Sequence, residues 1–526
     1  MIFNYNALFG SLRRQVAHLE TKAAKPQNIF FTLVAIIICR NQLELWFEDT
    51  NAIVISLDMH VILQDYIHVF CAWVYVYLTF VLLLQLVANK TPEVAFKVGL
   101  YAMLIILIPP IFDGLFNTSG KIIYQYDFST FTHSFIHLLN PWQDISYVTT
   151  GVRIEIGIAV IICSCYLILS PPKNYLVVRM VLLIVAIYLA IYIMGYLPAI
   201  WSTFTQLTHP QMLNASVLQV TSTTSPTFWY IPLLIGLVIA NLSRSSNPYW
   251  IIIKSLLRPD RMLPYLSFML MGFLISADDA LIGNDWLNPY DAMLLLCAVI
   301  SISCAFMAMT ALNDYCDRAI DKISNPDRPS VKSLKFNRRY PPIVTIMCLI
   351  SLSLSLLISP YHVVLIAFML SIGYVYSVPP FRLRRFLFVA PSLLTLIFIS
   401  CYIFGSAIVW GNQVKFHINT SLLLGVAALF WLGCQYKDFK DVTGDKLNGV
   451  MTVPILLGQK MAYCVLGGMT LLVSSFLLYR GVVEVNIYSL ITVIMLAASL
   501  FIFPNGERLI KAMLTCFIFL GLSYVY

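Results

Sequence analysis

The sequence predicts an all-α, polytopic membrane protein, and three observations carry that prediction. Of its 526 residues 60% are hydrophobic and 11% charged, with a mean hydropathy of +0.82. Soluble domains carry roughly 25% charged residues. Apolar runs of about 18–25 residues recur along the chain, the length at which a helix crosses a hydrocarbon core roughly 30 Å thick. Basic residues gather in alternate loops between those runs, the asymmetry that marks the cytoplasmic side.

The runs fall into two blocks. Residues 27–40, 64–88, 96–115, 150–170, 175–200 and 228–243 predict about six spans. Residues 262–282, 290–312, 341–359, 361–378, 387–410, 417–435, 461–479, 485–503 and 509–526 predict about nine more. Between the blocks, SRSSNPYWIIIKSLLRPDR (243–261) is polar, basic and proline-containing. The expected domains are therefore 1–247, a multi-span membrane domain, and 248–526.

Alternating loops of the second block hold Arg318, Lys322, Arg328, Lys332, Lys335, Arg338 and Arg339; then Arg382, Arg384 and Arg385; then Lys437, Lys440, Lys446 and Lys460; then Arg508 and Lys511. The intervening loops offer Lys415 and Arg480. In the first block Lys90, Lys97, Lys173, Arg179 and Arg244 fall on the side of the N-terminus. This bias predicts a cytoplasmic N-terminus and an outer C-terminus. Residues 1–25 carry Arg13, Arg14, Lys22 and Lys25 without a small-residue cleavage site, which predicts a cytoplasmic amphipathic leader and not a secretory signal. The expected location is the plasma membrane.

The net charge of +8 is spread over short loops, so nucleic acid is not an expected partner. Twelve scattered cysteines without CxxC or Cys/His ligand spacing argue against disulfides and zinc. Asp113, Arg153 and Glu155 stand near span ends, where an outer-interface ion pair costs little. His133 and His137 share an i, i+4 spacing in a predicted outer loop, with no third ligand in view.

Chemistry concentrates in two acidic clusters. NDYCDRAID places Asp314, Asp317 and Asp321 at i, i+3, i+7, one face of a helix. KDFKDVTGD repeats the spacing with Asp438, Asp441 and Asp445, and both clusters follow spans that end on the cytoplasmic side. Neighbouring carboxylates resist joint ionisation. A hard cation relieves that repulsion, and oxygen ligands of this kind suit Mg²⁺ bridging carboxylates to phosphates. The local alternative is a solvated helix end, with Arg318 and Lys322 opposing Asp317 and Asp321. Arg328, Arg382, Arg384 and Arg385 supply forks that match phosphate oxygens.

At these residues the chain resembles the UbiA-type intramembrane prenyltransferase superfamily. NDYCDRAIDKISNPDRP is similar to its NDxxDxxxD motif with the following Arg-Pro. KDFKDVTGDKLNGVMTVPILLG is similar to its second motif, DxxxD, and YSVPPFRLRR resembles its Tyr-Ser-x-Pro-Pro-x-Arg-Leu-Lys segment. The resemblance covers roughly 248–526 and implies a nine-helix bundle around a cavity capped by the motif loops. It implies Mg²⁺-dependent transfer of a prenyl group from a polyprenyl diphosphate to an aromatic or lipid-precursor acceptor. The implied metal ligands are Asn313, Asp314, Asp317, Asp321, Asp441 and Asp445, with Asp438 one turn earlier in the catalytic set. The implied diphosphate-binding residues are Asn313, Arg328, Tyr376, Arg382, Arg384 and Lys437. Two departures stand out: SVKS (330–333) replaces the common Ile-Pro-Ser-Gly, and Arg384 stands where lysine is commoner. A terpene cyclase on the same fold and a lipid or small-molecule transporter are the alternatives. Transporter sites tend to lie near the bilayer midplane, whereas these clusters lie at helix ends.

Overall fold

The computed structural model describes residues 5–21, 25–47, 59–116, 150–170, 174–208, 224–243, 248–279, 289–332, 334–410, 420–436, 438–447 and 449–479. No strand occurs among them. Nine helices among the described residues are long and apolar enough to cross a membrane, and the chain is an integral membrane protein. The chain divides into two units, one ending at Asn247 and the other running from Pro248.

The first unit contains α1 (Tyr5–Thr21), α2 (Pro26–Phe47), α3 (Met59–Leu86), α4 (Pro92–Ala102), a 3₁₀ turn (Met103–Leu107) and α5 (Ile108–Phe116). These are followed by α6 (Thr150–Leu169), α7 (Leu176–Thr208) and α8 (Thr224–Ser243). Its core gathers on α3, where Tyr77, Leu78, Val81 and Leu84 meet Ile37 of α2 and Leu183 of α7. Inside the apolar packing, Gln85 donates to Asn241 at 2.7 Å, and Asn241 donates to the Leu78 carbonyl at 3.0 Å. This pair ties α3 to α8. Glu20 of α1 pairs with Lys90 at 2.8 Å and accepts bonds from Tyr166 and Ser170, each at 2.8 Å. Burial alone would raise its carboxyl pKa; the bonds from Lys90, Ser170 and Tyr166 overcome that and hold it below the usual value of 4.5.

Asp113 and Glu155 are buried between helices, with exposures of 3% and 8%. Asp113 accepts a bond from the Gly151 amide at 2.7 Å, which joins α5 to α6. Tight approach of these two helices removes the solvent that the span-end position suggested. His133 and His137 lie outside the described residues.

The second unit contains α9 (Pro248–Leu256), α10 (Pro259–Asp279), α11 (Pro289–Cys316), α12 (Arg318–Ser324), α13 (Pro329–Lys332), α14 (Leu334–Asn337), α15 (Tyr340–Ile358) and α16 (Pro360–Ser377). It continues with α17 (Val389–Trp410), α18 (Thr420–Tyr436), α19 (Asp438–Leu447), α20 (Val453–Leu457) and α21 (Gln459–Tyr479). The seven long helices α10, α11, α15, α16, α17, α18 and α21 match the first seven spans expected for this block. The expected spans at 485–503 and 509–526 lie outside the described residues. Prolines open α9, α10, α11, α15 and α16, where a missing N–H costs nothing.

Two helix pairs form the frame. On α10 and α17, Gly272 faces the Tyr402 carbonyl and Gly405 faces the Met269 carbonyl, so closely that a Cβ at either would overlap backbone. Ser276 and Ser406 close the same seam at 2.5 Å. On α11 and α15, Ser301 bonds the Ser351 carbonyl at 2.9 Å and Ser355 at 2.8 Å. Small residues let backbones approach, and short hydroxyls satisfy one another where no water is available.

Gly405→Ala should therefore lower the melting temperature of the purified protein in detergent, by an overpacking cost of about 1–3 kcal/mol. Gly468→Ala, with nothing within 4 Å of the added carbon, should raise stability by about 0.4–1 kcal/mol in the same measurement. The Glu20 anchor has a defined pH sign. Its contribution is present above the ordinary value of 4.5 and is lost as pH falls below it through the lowered folded-state value. The protection factors of the α1 amides, taken against the intrinsic exchange rate at each pH, should fall on acidification from about pH 7 to about pH 3, and unchanged protection factors would contradict the anchor.

Candidate active site

The first acidic cluster is not carried by one unbroken helix. α11 ends at Cys316, Asp317 has φ −94 and ψ 13, and α12 begins at Arg318. The turn keeps helical pairing across the break, from the Asp317 amide to the Asn313 carbonyl at 2.8 Å and from the Asp321 amide to the Asp317 carbonyl at 2.9 Å. The three carboxylates therefore stay on one face, as the spacing predicts, although they belong to two helical segments.

All three aspartates are buried, with exposures of 0% for Asp314, 1% for Asp317 and 3% for Asp321. Their countercharges come from distant segments. Asp314 takes Arg258 at 2.6 Å and Arg328 at 3.0 Å. Arg328 uses the same nitrogen on Asp321. Asp317 takes Arg382 at 2.8 Å on one oxygen and Arg384 on the other. Asn313 Oδ1 accepts from Arg384 and from Ser377, each at 3.4 Å. Arg318 instead donates to the Ser330 carbonyl at 2.9 Å. The local pairing of Arg318 and Lys322 with Asp317 and Asp321 is thus replaced by long-range arginines, because the carboxylates face inward and those neighbours do not.

The arginine loop is shaped for this task. After α16 the chain turns through Pro379-Pro380, a cis peptide, to Arg382 at φ 39 and ψ 53. A side chain in this left-handed region costs roughly 1–2 kcal/mol. The conformation aims the guanidinium at Asp317. Around Asp321, burial raises the carboxyl pKa from its ordinary value, Arg328 opposes that rise, and Asp314 adds to it. Burial likewise lowers the Arg258 pKa, and Asp314 opposes that shift.

The cluster forms the mouth of a cavity of about 900 Å³, near the upper end of the range of roughly 300–1,000 Å³ for small-molecule sites. Asn313, Asp317, Asp321, Arg328, Tyr376, Arg384 and Asp438 all line it. Asp314 and Arg382 are set behind that wall, holding the lining arginine and aspartate in place. Below the mouth the walls turn apolar, with Phe306, Met369, Ile397 and Phe430. The second acidic segment forms α19, which packs against α12, so the two acidic helices are neighbours. The Asp441 and Asp445 side chains, and Lys437 altogether, lie outside the described residues. Among the described residues no three carboxylate, imidazole or thiolate groups converge tightly enough to hold an ion as they stand. Arginines occupy the space between them.

Arg258 is the site residue that the sequence reading passed over. It sits in the stretch read as a linker, and the signal was an arginine directly before the Pro-Asp that opens α10. Nothing in the sequence says that this elbow folds onto Asp314, 56 residues away.

Residues 266–514, in the C-terminal half of the chain, match the sequence model of the UbiA prenyltransferase family. Among curated proteins, the bacteriochlorophyll synthase 33 kDa chain of Cereibacter sphaeroides is 31% identical over 157 residues, 29% of this chain and 50% of its own. The digeranylgeranylglyceryl phosphate synthase of Methanococcus aeolicus is 30% identical over 177 residues, 33% of this chain and 59% of its own. The chain thus spans about half the length of the first curated relatives it matches. Among solved structures, the apo form of a UbiA homolog from Aeropyrum pernix K1 is 16% identical with a TM-score of 0.41, covering 51% of this chain and 98% of that one.

Arg258→Met should leave Asp314 with Arg328 as its remaining arginine and destabilise the protein by about 1–3 kcal/mol. Combining it with Asp314→Asn should cost less than the sum of the two single changes, read by thermal unfolding. Additive losses would show that the pair is not coupled.

Proposed function

We propose that the protein transfers a prenyl group from a polyprenyl diphosphate to an aromatic or lipid-precursor acceptor within the membrane, releasing diphosphate. The observation that carries this reading is a single cavity with a charged mouth and an apolar depth. Four arginines and three buried aspartates stand at the top, and aromatic and aliphatic side chains line what lies below. Such a cavity fits an amphiphile whose head is a polyanion and whose tail is hydrocarbon.

The donor set is oxygen only, Asn313 with Asp314, Asp317 and Asp321, and the second segment adds Asp438, Asp441 and Asp445. Hard oxygen ligands of this kind fit Mg²⁺, and we assign it to Asn313, Asp314, Asp317, Asp321, Asp441 and Asp445. When bound, Mg²⁺ supplies a Lewis acid at the diphosphate oxygens. A diphosphate also competes for the arginines. Arg328 and Arg384, which line the cavity, can turn from carboxylate to phosphate and so free the carboxylate oxygens.

The residues then divide the work. Arg328 and Arg384 hold the diphosphate as the allylic C–O bond breaks and its electron pair leaves with the phosphate oxygen. Arg258 and Arg382 keep Asp314 and Asp317 in position, and Tyr376 and Lys437 complete the head-group pocket. The apolar wall keeps water from the allylic cation. The rings of Phe306, Tyr265 and Phe430 can each stabilise a nearby cation by roughly 0.5–2 kcal/mol. The acceptor's electron pair forms the new C–C or C–O bond, and its proton leaves to a base, for which Asp438 on the cavity wall is our candidate. The loop charge bias supports an orientation with the N-terminus and this mouth on the cytoplasmic side, and we take the plasma membrane as the location.

The test is diphosphate release by the purified protein in lipid, with geranylgeranyl diphosphate, a panel of aromatic and lipid acceptors, and Mg²⁺ present or chelated. Release should require Mg²⁺ and rise with one acceptor. Acceptor-independent release with a cyclic hydrocarbon product would instead establish a cyclase. Asp317→Ala and Asp445→Ala should each reduce turnover at least about a hundredfold in folded protein; near-normal turnover in either would remove that residue from the site.

A further inference from the structure

The first unit carries a surface that the prenyl-transfer reading does not use. α1 bends away from α2 by 115°, so where α2 crosses the bilayer α1 runs close to the membrane plane. Its last turn is held where two helices leave the bilayer: Glu20 meets Lys90 just beyond α3 and Ser170 just beyond α6. Along α1, Phe9, Leu12, Val16 and Leu19 recur at i, i+3, i+7 and i+10, an apolar stripe on one helical face. α1 packs on α4 and α6, yet Phe9, Leu12 and Leu19 keep exposures of 45%, 37% and 38%. The exposed apolar surface continues at this end of the unit with Leu86, Tyr175 and Val177, where Arg179 of α7 donates to the Val87 carbonyl at 2.6 Å.

The exposed charge on α1 has one sign. Arg13 and Arg14 are exposed, as is Lys25 at the start of α2. Arg14 bonds the Gly10 carbonyl of its own helix at 3.3 Å. Among the described residues no carboxylate pairs with any of these three. Glu20, the acid of α1, is drawn into its contact with Lys90, which leaves Glu93 of α4 as the exposed acid on the neighbouring helices.

We propose that α1 is an interfacial helix that docks on anionic phospholipid headgroups, with Phe9, Leu12 and Leu19 among the acyl chains and Arg13, Arg14 and Lys25 drawn to the phosphates. Charge selects this occupant. The stripe alone would suit any bilayer, whereas each basic side chain near an anionic surface adds about a fivefold preference for it. The inference does not depend on the chemistry of the second unit.

The test places the full-length protein in nanodiscs of phosphatidylcholine, with or without phosphatidylglycerol, and follows hydrogen exchange of the α1 amides at neutral pH and low salt. Protection factors over 9–21 should rise at least about tenfold in the anionic discs and return toward the neutral-disc value in high salt. In the Arg13→Gln, Arg14→Gln, Lys25→Gln variant, whose Glu20 contacts are intact, the rise should shrink to within about twofold. Wild type and variant compared in the same discs share any shift of local pH at the charged surface. Equal protection of wild type in both lipids, or a rise that the variant keeps in full, overturns the proposal.

Discussion

Three carboxylates cannot sit at 0–3% exposure in a membrane protein without countercharge. Removing an ion from water costs several kcal/mol even after relaxation, and adjacent like charges add to that. Much of the second unit can be read as the answer to this constraint. The α9–α10 elbow brings Arg258, the loop after α12 brings Arg328, and the turn after α16 brings Arg382 and Arg384. Three separate chain segments converge on the junction of α11 and α12. The ion pairs therefore fix the ends of α10, α11 and α16 relative to one another, and the cavity mouth takes its shape from them.

Each of the three aspartates is paired by arginine, so no carboxylate of the cluster is left without a countercharge. The apolar part of the cavity contributes by exclusion. Its glycine and serine seams pull α10 against α17 and α11 against α15 closely enough to keep the walls sealed.

The first unit obeys different rules. Its buried polar groups include Asn241 with Gln85 and Asp113 with the Gly151 amide, pairs that join one helix to another. Glu20 fastens the amphipathic α1 to α6 and to the loop after α3. These are locks between elements, consistent with the absence of any acidic-cluster motif in residues 1–247.

Sequence alone determined the class of the protein, because span length and loop charge follow from bilayer thickness and need no tertiary contact. It also determined which residues carry charge on one helical face, since the 3.6-residue period places Asp314, Asp317 and Asp321 together whatever surrounds them. The arginines of YSVPPFRLRR and Arg328 were legible for a similar reason: fixed spacing in loops next to the clusters. What answers those carboxylates was decided by tertiary structure. Arg258 reaches Asp314 from the break between α9 and α10, and Arg318, close in sequence to the aspartates, turns away to Ser330. The cavity's apolar lining was equally invisible, since Met369 and Cys401 look like any apolar residue until two helices bring their sulfurs together. Periodicity reports which way a side chain points along its own helix, whereas pairing across helices depends on where the backbone folds, and that is settled by packing.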